Sequence, residues 1–104
     1  MRKLLLLGAV AILAATSATA APARHGLKGA NLASQAKVTL ATARATAVAA
    51  RPGVITDQEL ERESGGSGLR YSFDIRSQGK TFEVGVDAVT GRVLENAAEG
   101  PHPD

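Results

Sequence analysis

The chain has 104 residues, with 12 Lys and Arg against 10 Asp and Glu, two histidines and no cysteine. The missing cysteines exclude disulfide staples, an N-terminal lipidated cysteine and thiolate metal sites, so any fold rests on its hydrophobic core alone. No run of basic residues interleaved with aromatics is present, which leaves nucleic-acid binding without support.

Met1-Arg2-Lys3 is a positive n-region, Leu4 to Ala15 is an apolar run of about a dozen residues, and Ala18-Thr19-Ala20 is a small-x-small cleavage signal. Residues 1–20 are therefore expected to be a secretory signal peptide of bacterial type, cleaved after Ala20. The apolar run is shorter than the roughly 20 residues that a membrane span needs. Cleavage removes Arg2 and Lys3 and leaves a formally neutral chain. That chain is expected to be periplasmic or secreted, with no membrane attachment, and to form one domain of about 60 residues, too small to enclose a deep active site.

Residues 21–36 hold few large apolar side chains and read as a flexible lead-in to a domain spanning 37–97. Thr39 suits the N-cap of a helix from Leu40 to Ala50, because its hydroxyl can accept from a free N–H of the first turn. Alanine favours that helix and Arg51-Pro52-Gly53 ends it. Leu40 and Val48 define its apolar side, with Arg44 between them as a guanidinium snorkelling past the edge of a sheet.

Beyond the helix the period becomes two. "VITDQELERE" sets Val54, Thr56, Gln58 and Leu60 on one face and Asp57, Glu59, Glu61 and Glu63 on the other. Gly65 to Gly68 reads as a turn. "LRYSFDI" alternates Leu69, Tyr71, Phe73 and Ile75 with Arg70, Ser72 and Asp74; Ser77 to Lys80 is a hairpin turn with Gly79 suited to positive φ; Phe82, Val84 and Val86 continue the inward face. The three aromatics of the chain fall on these two strands and are expected in the core. Residues 98–104 read as a disordered tail.

"FEVGVDAVTGRVL" raises the question of catalysis at Asp87. The chain must reverse before Val93-Leu94, and an aspartate opening such a turn accepts from backbone N–H groups one to three residues on, with Thr90 and Gly91 completing it. A catalytic carboxylate needs a partner acid, base, nucleophile or metal set, and none is near in sequence. The spacing also fails as a calcium loop. Asp87, Thr90 and Gly91 are therefore assigned a structural turn, with no catalytic residue, no metal ligand and no cofactor. His25 and His102 fall in the flexible-looking ends and read as solvated.

A helix ending in Pro-Gly, the strand "ELERE", a hairpin with alternating aromatics and the terminal "VDAVTGRVL" together resemble a PepSY domain, a family named for peptidase propeptides and a sporulation-associated protein. The resemblance covers Thr39 to Glu95, and "PGVITDQELERESG" and "FEVGVDAVTGRVL" carry most of it. It implies an α+β fold, one helix packed on an antiparallel meander of three to four strands, in an exported or membrane-associated bacterial protein. In members joined to thermolysin-like metallopeptidases the domain belongs to the propeptide, and inhibition is the proposed role. No peptidase portion accompanies it here, so inhibition is expected in trans. Arg44 stands where the family has an apolar residue.

If the first hairpin closes across Gly65 to Gly68 and the second across Gln78-Gly79, Glu59 lies opposite Asp74 and Asp74 opposite Glu83, while Leu60 pairs with Phe73 and Ile75 with Phe82 inward. Like charges directly opposite one another are unfavourable. Either Arg70 and Arg76 neutralise the row diagonally, or the strands pair in another register, or Glu59, Asp74 and Glu83 form a partner-binding surface for a basic peptide or a divalent cation. The expected function is a small binding or regulatory module, not an enzyme, that restrains a peptidase or another protein or peptide of the cell envelope through this face or an exposed sheet edge. The alternative is a periplasmic ligand or cation sensor associated with envelope signalling.

Overall fold

The computed structural model describes residues 26–100. The expected signal peptide, residues 21–25 of the lead-in, both histidines and the last four residues of the tail lie outside this span. Four antiparallel strands, β1 (Val54–Arg62), β2 (Leu69–Ser77), β3 (Lys80–Asp87) and β4 (Val93–Ala98), form a meander in the order β1-β2-β3-β4, and one helix, α1 (Leu40–Ala50), lies against one face. This is the α+β architecture that the sequence implies. Among the described residues no helix is long and apolar enough to cross a membrane.

The helix starts where its cap predicts, with the Thr39 hydroxyl accepting from Thr42 N at 3.1 Å. Its buried face is narrower and smaller than Leu40 and Val48 suggest. Ala43 and Ala47 are fully buried, one turn apart, with Leu40 and Ala50 packed beside them; Val48 is only half-buried at the margin. Arg44, also at the margin, donates to Gln58 Oε1 of β1 at 2.8 Å, which satisfies a buried amide rather than leaving the guanidinium in solvent.

The sheet contributes Leu60, Leu69, Tyr71, Phe73, Ile75, Val84 and Val86 to the core. Tyr71 and Phe73 stack with ring centroids 6.2 Å apart, and the Tyr71 hydroxyl donates to Val38 O at 2.7 Å. Phe82 departs from the expected core position. It is half-buried at the rim, beneath the Arg51 guanidinium, which sits 3.9 Å from its ring centroid. Asn96 of β4 completes this corner, accepting from Arg51 Nε at 3.0 Å and donating to Ala50 O at 3.2 Å.

β1 departs from simple alternation. Its register shifts between Ile55 and Asp57, so Thr56 is an extra residue whose hydroxyl donates to Asp74 O at 3.3 Å. The shift turns Val54 outward, 66% exposed, and packs Ile55 against the core instead. The lead-in also proves ordered where it is described. A short 3-10 helix (Ala30–Gln35) follows Lys28, which bridges β1 through Lys28 N to Gln58 O at 3.2 Å and Leu60 N to Lys28 O at 2.8 Å. Leu27 and Leu32 pack on the core, and Arg62 donates to Gln35 Oε1, so two leucines and a strand edge suffice to order a segment otherwise poor in apolar residues.

Because Ala43 and Ala47 set how closely α1 approaches the sheet, Ala47→Leu is expected to destabilise the protein by about 1–3 kcal/mol through overpacking. Val48→Ala should stay within about 0.5 kcal/mol, since better helix propensity offsets the lost marginal contact. Urea unfolding of both variants checks the assignment.

Candidate functional site

The two ends of the sheet treat carboxylates in opposite ways. Asp87, at the end of β3, is fully buried. Oδ1 accepts from Val89 N at 2.8 Å, Thr90 N at 3.0 Å and the Ser67 hydroxyl at 2.8 Å, and Oδ2 accepts from Ser67 N at 2.6 Å. Gly91 N closes the turn on Asp87 O at 2.9 Å with φ at 82°. Burial alone raises the pKa, but the donors from Ser67, Thr90 and Val89 outweigh it and hold the carboxyl well below its ordinary value.

The Ser67 contacts fold the loop between β1 and β2 over the end of the sheet. Gly66, at φ 56°, lies so close to Asp87 Oδ2 and Leu94 that a side chain has no room. The loop therefore runs from Glu63 to Gly68, with Arg62 opposite Leu69. This corrects the expected first hairpin: Glu59 faces Ser72, Leu60 faces Tyr71, and Asp57 is the residue opposite Asp74. In the second hairpin Gln78 and Gly79 both take positive φ, and Asp74 faces Glu83 while Ile75 faces Phe82, as the sequence indicates.

The face of the sheet away from α1 carries Asp57, Glu59, Glu61, Asp74, Glu83 and Glu95. Asp57, Glu59, Asp74 and Glu83 line a shallow cleft of about 70 Å³ with Gln58 and Ser72. Of the three residues expected to form one row, Asp74 and Glu83 are directly opposite and Glu59 lies one step along the cleft. Arg70 does not neutralise them. Its guanidinium is buried flat over Gly85, where a Cβ would meet Nη1 at 3.1 Å, and it donates to Ser64 O at 3.1 Å and to Glu95 at 3.4 Å. Arg76 is exposed and reaches Thr81 Oγ1 at 3.4 Å. Lys28 pairs with Asp57 at 2.9 Å, an ion pair that raises the lysine pKa.

Glu83 registers the imbalance. Burial first, then the charges of Glu95, Asp74, Glu99 and Glu61, push its carboxyl up to about 7. Glu61 is raised as well, by burial, against a stabilising bond from the Ser72 hydroxyl at 2.7 Å. Glu99 falls in the segment read as a disordered tail. Its N–H instead donates to Thr81 O at 3.0 Å, extending the β3–β4 ladder. Oxygens of Asp74, Glu83 and Glu99 come within 4.8 Å of one another. The period-two alternation of "TFEVGVD" against "VLENAAEG" was the signal available for this residue.

A family profile described as peptidase propeptide and YPEB domain, PepSY, matches residues 37–96. No curated protein and no solved structure matches the chain.

Asp87→Asn is expected to cost about 2–4 kcal/mol, because it replaces a charged acceptor by a group with one acceptor oxygen and sets an amide N–H₂ against backbone donors. Circular dichroism melts measure the loss. Glu83 gives a pH dependence of definite sign. Its folded pKa lies above the ordinary 4.5, so its favourable contribution is complete below 4.5 and disappears as pH rises through about 7. The melting midpoint should fall by a few degrees between about pH 5 and about pH 8. Glu83→Gln should flatten that slope, and an unchanged slope would refute the assignment. Asp87 acts oppositely: its contribution is present above 3.8 and is lost as pH falls further.

Proposed function

The chain belongs to the PepSY family of peptidase-propeptide-like domains, and on that basis we propose that it is an exported, non-catalytic module, periplasmic or secreted, that binds and restrains a protein partner in trans. A peptidase of the cell envelope is the first candidate. The observation that carries this reading is the acidic outer face: Asp74 and Glu83 stand opposite each other with no ion pair from Arg70 or Arg76 among the described residues. Such a row costs stability in the isolated domain, and a basic segment laid across it removes that cost. Asp87 supports the non-catalytic reading, since four donors already occupy its oxygens.

A second reading, a cation sensor, is favoured by one observation: oxygens of Asp74, Glu83 and Glu99 are close enough together to share a divalent ion. Calorimetry separates the two. The full chain should bind a Lys/Arg-rich peptide with affinity that weakens as salt is raised, and the combined Glu59→Gln, Asp74→Asn, Glu83→Gln variant should bind about tenfold more weakly. Heats that are equal in both proteins and insensitive to salt would end the binding reading, and calcium heats lost in the same variant would favour the sensor. Slowing of a thermolysin-like protease by the full chain, weakened in the same variant, tests the peptidase assignment.

A further inference from the structure

The two edges of the sheet are not equivalent. At β1, Lys28 occupies the outward N–H and C=O groups of the stretch from Gln58 to Leu60, the register shift at Thr56 twists the strand just before it, and Arg62 is held to the short helix through Gln35. These are the devices by which a sheet protects an edge from further pairing. β4 shares only the register shift, with Leu94 as the extra residue opposite Gly85 and Val86, and from Glu95 to Ala98 its pairing is regular. It contains neither Pro nor Lys, and among the described residues no strand or bridge lies on its outer side.

The direction of the β4 backbone groups follows from its pairing with β3. Glu99 N donates to Thr81 O, and residues of an antiparallel pair alternate between exchanging bonds and pointing away. Glu95, Ala97 and Glu99 therefore direct their backbone groups to β3. Asn96 and Ala98 direct theirs outward. The side chains divide in the complementary way: Asn96 reaches the helix side, to Ala50 O, whereas Glu95 lies on the acidic face beside Arg70 and Gly85.

We propose that the outer edge of β4 is a strand-addition site for an extended peptide segment with Lys or Arg at alternate positions, an inference that rests on the binding-module reading above and gives it a place and a sequence pattern. The backbone of the incoming strand pairs with Asn96 and Ala98. Its alternate side chains on the outer face come to lie beside Glu95 and Glu99 and toward Glu83, and those on the other face meet the small, exposed side of Ala98. Charge complementarity selects this occupant over a second copy of the chain. Antiparallel pairing of β4 with β4 lays Glu95 and Glu99 of one copy alongside those of the other, and like charges on neighbouring strands oppose association. β-Strand addition draws affinity from main-chain bonds and specificity from alternate side chains, so the pattern of the partner matters as well as its charge.

The test uses the full chain and two peptides of equal composition, one alternating Lys with Ala and Val, the other with its lysines in a single block. The alternating peptide should bind at least tenfold more tightly. Ala98→Pro removes an outward N–H and no bond to β3, so the fold should persist while this preference falls at least tenfold. Amide hydrogen exchange gives an independent readout: Asn96 and Ala98 should exchange rapidly in the chain alone and become protected with the alternating peptide. Equal binding of both peptides, or binding that Ala98→Pro leaves unchanged, overturns the edge site while leaving the acidic-face reading standing. Binding of neither peptide overturns both. Protection of Asn96 and Ala98 in the chain alone would show the edge already occupied and also overturns the proposal.

Discussion

The carboxylate of Asp87 is buried at the end of the molecule where four chain segments meet, and its charge is tolerable there only because N–H and O–H groups surround it. Two donors come from the loop after β1 and two from the turn after β3, so one side chain ties together pieces about twenty residues apart in sequence. The next residue extends the junction. Ala88 O accepts from both Lys37 N and Val38 N at 2.9 Å, and Ala88 N donates to Leu69 O at 2.9 Å. Val38 in turn receives the Tyr71 hydroxyl. The entry to α1, the start of β2, the turn into β4 and the glycine loop are thereby fixed relative to one another. The helix can then lie on the sheet at a set angle with only two alanines fully buried at the contact.

That economy explains the division of the sheet into unlike faces. A single small-faced helix covers one side, and the core consists of side chains from β1, β2 and β3 beneath it. Among the described residues nothing apolar is left to cover the other side. Its closest approach to a cover is the glycine loop, which reaches Arg70 and Leu94 and stops there. Arg70 is buried under that loop, spent on Ser64 O and Glu95, and is thereby withheld from Asp74 and Glu83. The acidic row is thus a consequence of how the Asp87 junction directs the loop, since the same fold that buries Arg70 draws its guanidinium away from Asp74 and Glu83.

Much of this was legible in the sequence. The cap at Thr39, the alanine run and Pro-Gly gave the helix its bounds, because each acts within a few residues. Alternation gave β2 and β3 and the pairing of Asp74 with Glu83, because the two-residue turn at Gln78-Gly79 permits one register. The first hairpin was displaced by two positions for a reason that no local pattern carries: Ser67 is captured by a residue twenty positions on, which lengthens the loop. The outward turn of Val54 depends on an extra residue at Thr56, and a single inserted residue leaves the composition of a strand unchanged. The short helix after Lys28 leaves no local mark in the sequence because its order comes from pairing with β1 rather than from its own apolar content.

The contrast between Asp87 and Glu83 shows what a sequence withholds about carboxylates. Both follow an inward-facing apolar residue on β3, both are withdrawn from water, and they lie four residues apart on the same side of one strand. Burial pushes each toward the neutral form. What separates them is the count of donors. Asp87 receives four, is held ionised and becomes a fixed point of the structure. Glu83 meets Asp74, Glu95 and Glu99 instead, so its proton is retained toward neutral pH. An anion whose oxygens are all engaged has nothing left to offer a cation, whereas one pushed toward its neutral form by burial and then by neighbouring charges is stabilised when a cation arrives. Ionised and proton-retaining carboxylates in so small a domain are therefore distinguished by donors contributed from elsewhere in the chain, and the acidic face is the part of the sheet that those donors do not reach.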